Sequence, residues 1–77
     1  MAKRAVIRNQ IASLRKQHGL TQAALAEAVG VTRQTIIAIE RNRYSPSLET
    51  AFRIAAVFSQ SIDEVFEWLD GKEKVID

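Results

Sequence analysis

The sequence predicts an all-α domain of five helices, with short strands at the termini left open, on three observations. Apolar residues recur at three- and four-residue intervals along successive stretches, the period of one helix face and not of a strand. Every stretch after the first is opened by Thr or Ser, and the stretches close on Gly or a polar break. Only 3 Gly and 1 Pro occur in 77 residues that are 47% hydrophobic, rich in Ala, Leu, Ile, Glu and Arg, a balance that favours helices and excludes a disordered chain.

Residues 6–18 form the first predicted helix, because Ile7, Ile11 and Leu14 fall at i, i+4 and i+7 while Arg8, Arg15 and Lys16 lie elsewhere on the wheel. Gly19 stops it. Thr21 caps a second helix over residues 22–29, in which Leu25, Ala26 and Val29 share one face before Gly30. Thr32 caps a third over residues 33–41, with Ile36, Ile39 and Glu40 facing one way and Arg33, Gln34, Ile37 and Arg41 the other. Residues 42–46 are a polar loop, since Pro46 pushes its predecessor out of helical dihedrals. Ser47 caps the fourth helix, where Leu48, Phe52, Ala55 and Phe58 form a stripe that ends at Ser59-Gln60-Ser61. Ser61 and Glu64 stand at capping-box spacing and open the fifth helix, residues 62–69, and Gly71 closes the folded part. Residues 70–77 are a tail that either frays or, through Val75 and Ile76, pairs with an extended Ala5-Val6-Ile7 as a ribbon within or between subunits.

Seventy-seven residues make one domain, near the lower size at which an apolar core holds a fold without metal or disulfides. The absence of Cys excludes a disulfide framework and thiolate zinc sites, and fits a reducing compartment. Met1-Ala2-Lys3-Arg4 is basic, but no apolar run of signal-peptide length follows and none approaches the ~20 residues that span a bilayer. The expectation is a cytoplasmic protein with no membrane partner. Its net charge of +2 conceals a division: residues 1–46 carry eight basic against two acidic side chains, or +6, and residues 47–77 three against seven, or −4. A basic front and an acidic back orient a molecule toward a polyanion.

The stretch of residues 22–41 meets the steric demands of a helix-turn-helix. Two helices crossing at about 90 to 120° need a small side chain where they approach, a permissive residue at the turn, and apolar knobs inside. Ala26, Gly30, and Leu25, Val29, Val31, Ile36 and Ile39 supply them in register. On Leu14-Arg15-Lys16, Gly19-Leu20-Thr21-Gln22, Leu25-Ala26, Gly30-Val31-Thr32-Arg33-Gln34-Thr35-Ile36, Ile39-Glu40 and Pro46-Ser47-Leu48-Glu49-Thr50, the chain resembles the lambda-repressor/Cro-like (XRE) family over residues 14–66. Arg41-Asn42-Arg43 stands where that family often has Gly after the Glu, which gives any left-handed residue there to Asn42.

The resemblance implies a five-helix lambda-repressor-like DNA-binding domain whose third helix enters the major groove of a double-stranded operator. Residue chemistry agrees: Arg33 can donate twice to guanine O6 and N7, and Gln34 can pair with adenine N6 and N7. Ile37 sits with Arg33 and Arg41 on the outward face, either for a thymine methyl or for partial burial against a loop or partner. Gln22 at the start of the second helix, with Thr32, Arg41, Asn42, Arg43 and Tyr44, is a candidate for phosphates. Arg15 and Glu40 resemble the pair that in this family bridges the first helix to the third, a contact that fixes orientation more than it stabilises. His18, the only histidine, has no Cys or carboxylate cluster beside it, so no metal site is expected and its position suits the end of a helix dipole. No cofactor and no catalytic set is marked, which excludes an enzyme as the first reading.

One recognition helix touches too few base pairs to find a genomic site, and symmetric dimers solve this. Val65, Phe66, Trp68 and Leu69, left over once the core is filled, are the predicted homodimer interface, the alternative being that Phe66 and Trp68 close a monomeric core. The leading functional expectation is a dimeric transcriptional repressor. The alternatives are an antitoxin or other protein-sequestering module that keeps a DNA-binding core and binds a toxin, and a controller of restriction-modification genes.

Overall fold

A computed structural model describes residues 7–69. In chain order the elements are strand β1 (Ile7–Asn9), helices α1 (Ile11–Gln17), α2 (Gln22–Val29), α3 (Arg33–Glu40), α4 (Leu48–Val57) and α5 (Ile62–Val65), and strand β2 (Phe66–Trp68).

The helix starts follow the expected caps. The hydroxyls of Thr21, Thr32 and Ser47 accept the amides of Ala24, Thr35 and Thr50 at 3.0, 3.1 and 3.1 Å, each satisfying a donor that has no partner inside the helix. At α5 the Ser61 amide donates to Glu64 Oε1 at 2.7 Å. The stops share one geometry. Gly19, Gly30, Asn42 and Ser59 have positive φ, and the amides of Leu20, Val31, Arg43 and Gln60 reach back to the carbonyls of Arg15, Ala26, Ala38 and Ala55. Asn42 takes the left-handed role expected of it at φ 60°. Ser59 also adopts this conformation, which its sequence context had marked only as a polar break.

Ile11, Leu25, Ala26, Val29, Ile36, Ile39, Ile54, Ala55, Phe58 and Val65 form the core, with Leu14, Leu20, Val31, Val57 and Phe66 packed against it. Three expectations are corrected here. Residues 7–9 are a strand and not the first turns of a helix, and helix five stops at Val65 instead of running to residue 69. The two released segments pair antiparallel, Ile7 opposite Trp68, Arg8 opposite Glu67 and Asn9 opposite Phe66, and the Gln10 amide extends the contact to the Val65 carbonyl at 2.9 Å. A ribbon therefore forms with Phe66–Trp68 as its second strand; the pairing expected of Val75 and Ile76 falls outside the described residues. Second, α4 turns a different face inward: Ala51, Ile54, Ala55 and Phe58 are buried, while Leu48 and Phe52 are 70% and 54% exposed. Third, Val65 is wholly buried in the core of its own chain, so it cannot belong to a surface that meets a partner.

The α4 face is tested by Ile54→Ala, which should cost about 2–5 kcal/mol in urea unfolding because it leaves a cavity in the core. Ser59→Gly should be neutral or stabilising by up to about 1 kcal/mol, since relief of left-handed strain outweighs the added entropy of the unfolded chain.

Candidate nucleic-acid interface

The turn between α2 and α3 is built by Gly30, Val31 and Thr32. Gly30 has φ 89°, and a Cβ there would stand 3.4 Å from Arg53 Nη1, a group that itself donates to the Val29 carbonyl at 3.3 Å. Leu25, Ala26, Val29, Ile36 and Ile39 are all buried behind this turn. With its apolar ridge committed inward, α3 presents its other side to solvent. Arg33 and Gln34, in the first turn, are exposed, and neither side chain has a hydrogen-bond or ionic partner among the described residues. Ile37 is half-buried, and Arg41, Asn42, Arg43 and Tyr44 continue the exposed surface past the end of the helix.

Behind that surface lies a polar junction. Arg15 Nε meets Glu40 Oε2 at 2.7 Å and its Nη2 meets Oε1 at 3.3 Å, while Nη1 donates to the Leu20 carbonyl at 3.1 Å. The side chains of the pair retain only 12% and 8% of their exposure. The expected bridge from α1 to α3 is thus present and doubly bonded. Gln22 joins it, donating through Nε2 to Glu40 Oε1 at 3.1 Å, so its carboxamide is held within the protein instead of standing free. One of its two N–H donors is used in this way and the other remains.

Two other candidates also make internal bonds. The Thr32 hydroxyl caps α3 and lies 3.0 Å from the Thr35 hydroxyl. Asn42 Oδ1 accepts from Asn9 Nδ2 at 3.1 Å. Asn9 is the residue that sequence reasoning missed. Its Nδ2 also donates to the Ile39 carbonyl at 2.9 Å, and its Oδ1 accepts the Ile11 amide at 3.1 Å, so it opens α1 and ties β1 to the end of α3. An Asn two residues ahead of a helical stretch is the usual signal for such a turn, hidden here by an apolar period that ran through it.

His18 follows α1, with Nδ1 2.9 Å from the Leu14 carbonyl and its ring 5.2 Å from that of Phe58. Among the described residues no three His, Cys, Asp or Glu side chains gather as a metal site, and no helix is long and apolar enough to cross a membrane. Phe66 is half-buried against the core, Leu69 is half-buried, and Trp68 is 60% exposed.

Residues 11–65 match the helix-turn-helix family. The chain is 47% identical over 66 residues to the uncharacterised HTH-type transcriptional regulator MJ0272 of Methanocaldococcus jannaschii, covering 86% of this chain and 100% of that one. It is 57% identical over 61 residues to an HTH-type transcriptional regulator of Methanothermobacter thermautotrophicus, covering 78% and 88%. Among solved structures, a chain of the SinR protein/SinI protein complex superposes with a TM-score of 0.67 at 32% identity, covering 87% of this chain and 63% of that one.

Breaking the junction from one side should be costly. Glu40→Ala, which strands the Arg15 guanidinium, is expected to lower stability by about 3–5 kcal/mol. Arg15→Met combined with Glu40→Leu should recover much of that loss in the same urea titration, because no buried charge is left uncompensated.

Proposed function

The chain belongs to the helix-turn-helix family of XRE-type transcriptional regulators, and within it we propose a sequence-specific reader of double-stranded DNA that acts as a dimeric repressor in the cytoplasm. The observation that carries this reading is the placement of Arg33 and Gln34: both are exposed in the first turn of α3 and uncommitted among the described residues, on a helix whose opposite ridge is locked into the core. In the major groove Arg33 pairs with a guanine and Gln34 with an adenine, and Ile37, half-buried at its base, offers the part that remains outside to a thymine methyl.

Positioning on the backbone falls to the surroundings of α3. The remaining N–H of Gln22 and the free amides at the start of α2 suit one phosphate, and Arg41, Arg43 and Tyr44 suit others. Thr32 and Asn42 contribute mainly by holding the helix, since their side-chain oxygens already have partners. The basic excess of the first 46 residues supplies the attraction, and a dimer supplies enough contacted base pairs to single out a site.

Selection of bound sequences from random duplex DNA tests the assignment. Arg33→Ala and Gln34→Ala should each relax the preference at a different position of the half-site, with a loss of about 1–3 kcal/mol at that position. A uniform loss across all sequences would demote both residues to phosphate contacts. Affinity should fall with salt at a log–log slope of roughly −0.9 per phosphate neutralised.

A further inference from the structure

The face that α4 turned outward is apolar and continuous with the ribbon. Leu48 and Phe52 stand one turn apart on α4, and Leu48 borders an open groove of about 310 Å³ lined by Ile7, Pro46, Ala51, Ile62 and Phe66. Side chains opposite one another in an antiparallel pair share a face, so Ile7 carries the apolar surface on to its partner Trp68. We propose that this face, centred on Leu48, Phe52 and the groove and edged by Trp68, is where a second copy of the chain docks in a two-fold arrangement. The proposal rests on the dimeric part of the reading above and moves its interface from residues 65–69 to α4 and the ribbon.

Two features select a second copy as the occupant. The first is area. Aromatic side chains present ~150–250 Å² each, so the exposed parts of Leu48, Phe52 and Trp68, at 70%, 54% and 60%, together with the groove wall, amount to on the order of 400 Å² per chain. A standard interface removes ~800 Å² from each partner, a little over half of it apolar, which is the amount this face holds. The second is charge. The named groove residues carry none, and Arg53, next to Phe52 on α4, is paired with Glu49 at 2.6 Å; the Arg8–Glu67 pair lies on the other face of the ribbon, since neighbours along a strand point to opposite sides. A strongly charged partner finds no counter-ion within the groove, whereas a copy bearing the same uncharged groove meets no like charge at its centre. Asn9 gives the docking a consequence, because it bonds the ribbon to the end of α3, and a mate seated on the ribbon fixes the angle at which α3 is offered.

Sedimentation equilibrium of the full chain, with emission of Trp68, the single tryptophan, followed on dilution, tests this. The wild type is expected at twice the 8.6 kDa chain mass at 100 μM, roughly, with a red shift on dissociation. Leu48→Asp and Phe52→Ser, at exposed positions that should fold with unchanged circular dichroism, should each raise the dissociation constant about thirtyfold or more. A wild type that stays monomeric, or assembles without limit, overturns the proposal, as does a dimer indifferent to both substitutions. Arg33→Ala should leave the mass unchanged while altering sequence preference; if no preference exists but the dimer responds to Leu48→Asp, the DNA reading fails and the docking surface stands.

Discussion

Three helices meet at the carboxylate of Glu40. It accepts two bonds from Arg15 of α1 and one from Gln22 of α2, and it is itself the last residue of α3. Apolar contacts between helices tolerate some sliding and rotation, because dispersion is weakly directional. A nearly buried carboxylate with three donors at fixed angles does not, since each departure leaves a desolvated polar group without a partner. The junction adds little net stability, because desolvation offsets most of the attraction. What it contributes is the angle of α3 relative to α1 and α2, and the outward aim of Arg33 and Gln34 depends on that angle.

The opposite end of α3 is secured by different chemistry. Asn42 in the left-handed region ends the helix, and Asn9 bridges it to β1 through both the Ile39 carbonyl and the Asn42 side chain. The helix is therefore clamped by Thr32 at its start, Glu40 near its end and Asn9 just beyond. Between the clamps Ile36 and Ile39 are sealed in the core. A helix of eight residues has little stability of its own; held in this way it is a rigid presenter of side chains, which lowers the ordering cost of any contact they make.

Charge distinguishes the two proposed working surfaces. Around α3 the basic residues Arg33, Arg41 and Arg43 have no acidic partner among the described ion pairs, whereas Arg53, beside Phe52 on α4, is paired with Glu49. An exposed pair such as this contributes little to stability. On the proposed reading, the unpaired charge around α3 draws a polyanion there, while the uncharged groove beside Leu48 receives a second copy of the chain.

Caps, stops and the helix-turn-helix were legible in the sequence because they are local: a hydroxyl that reaches an amide three residues on, a left-handed residue that closes a turn, and a small residue at a helix crossing all act within a few positions. The Arg15–Glu40 bridge was legible only through the family resemblance, and Asn9 was obscured by an apolar period that ran across it. Tertiary structure decided the rest. Helix α4 carries two apolar stripes, and nothing within its ten residues ranks Leu48 and Phe52 below Ala51 and Ile54; the positions of α2 and α5 do, by covering one stripe and leaving the other. Ile7–Asn9 and Phe66–Trp68 are strands because each supplies the backbone partners the other needs. Segments nearly sixty residues apart cannot announce that pairing from within, since the hydrogen bonds that repay their extension exist only once the helices between them have packed.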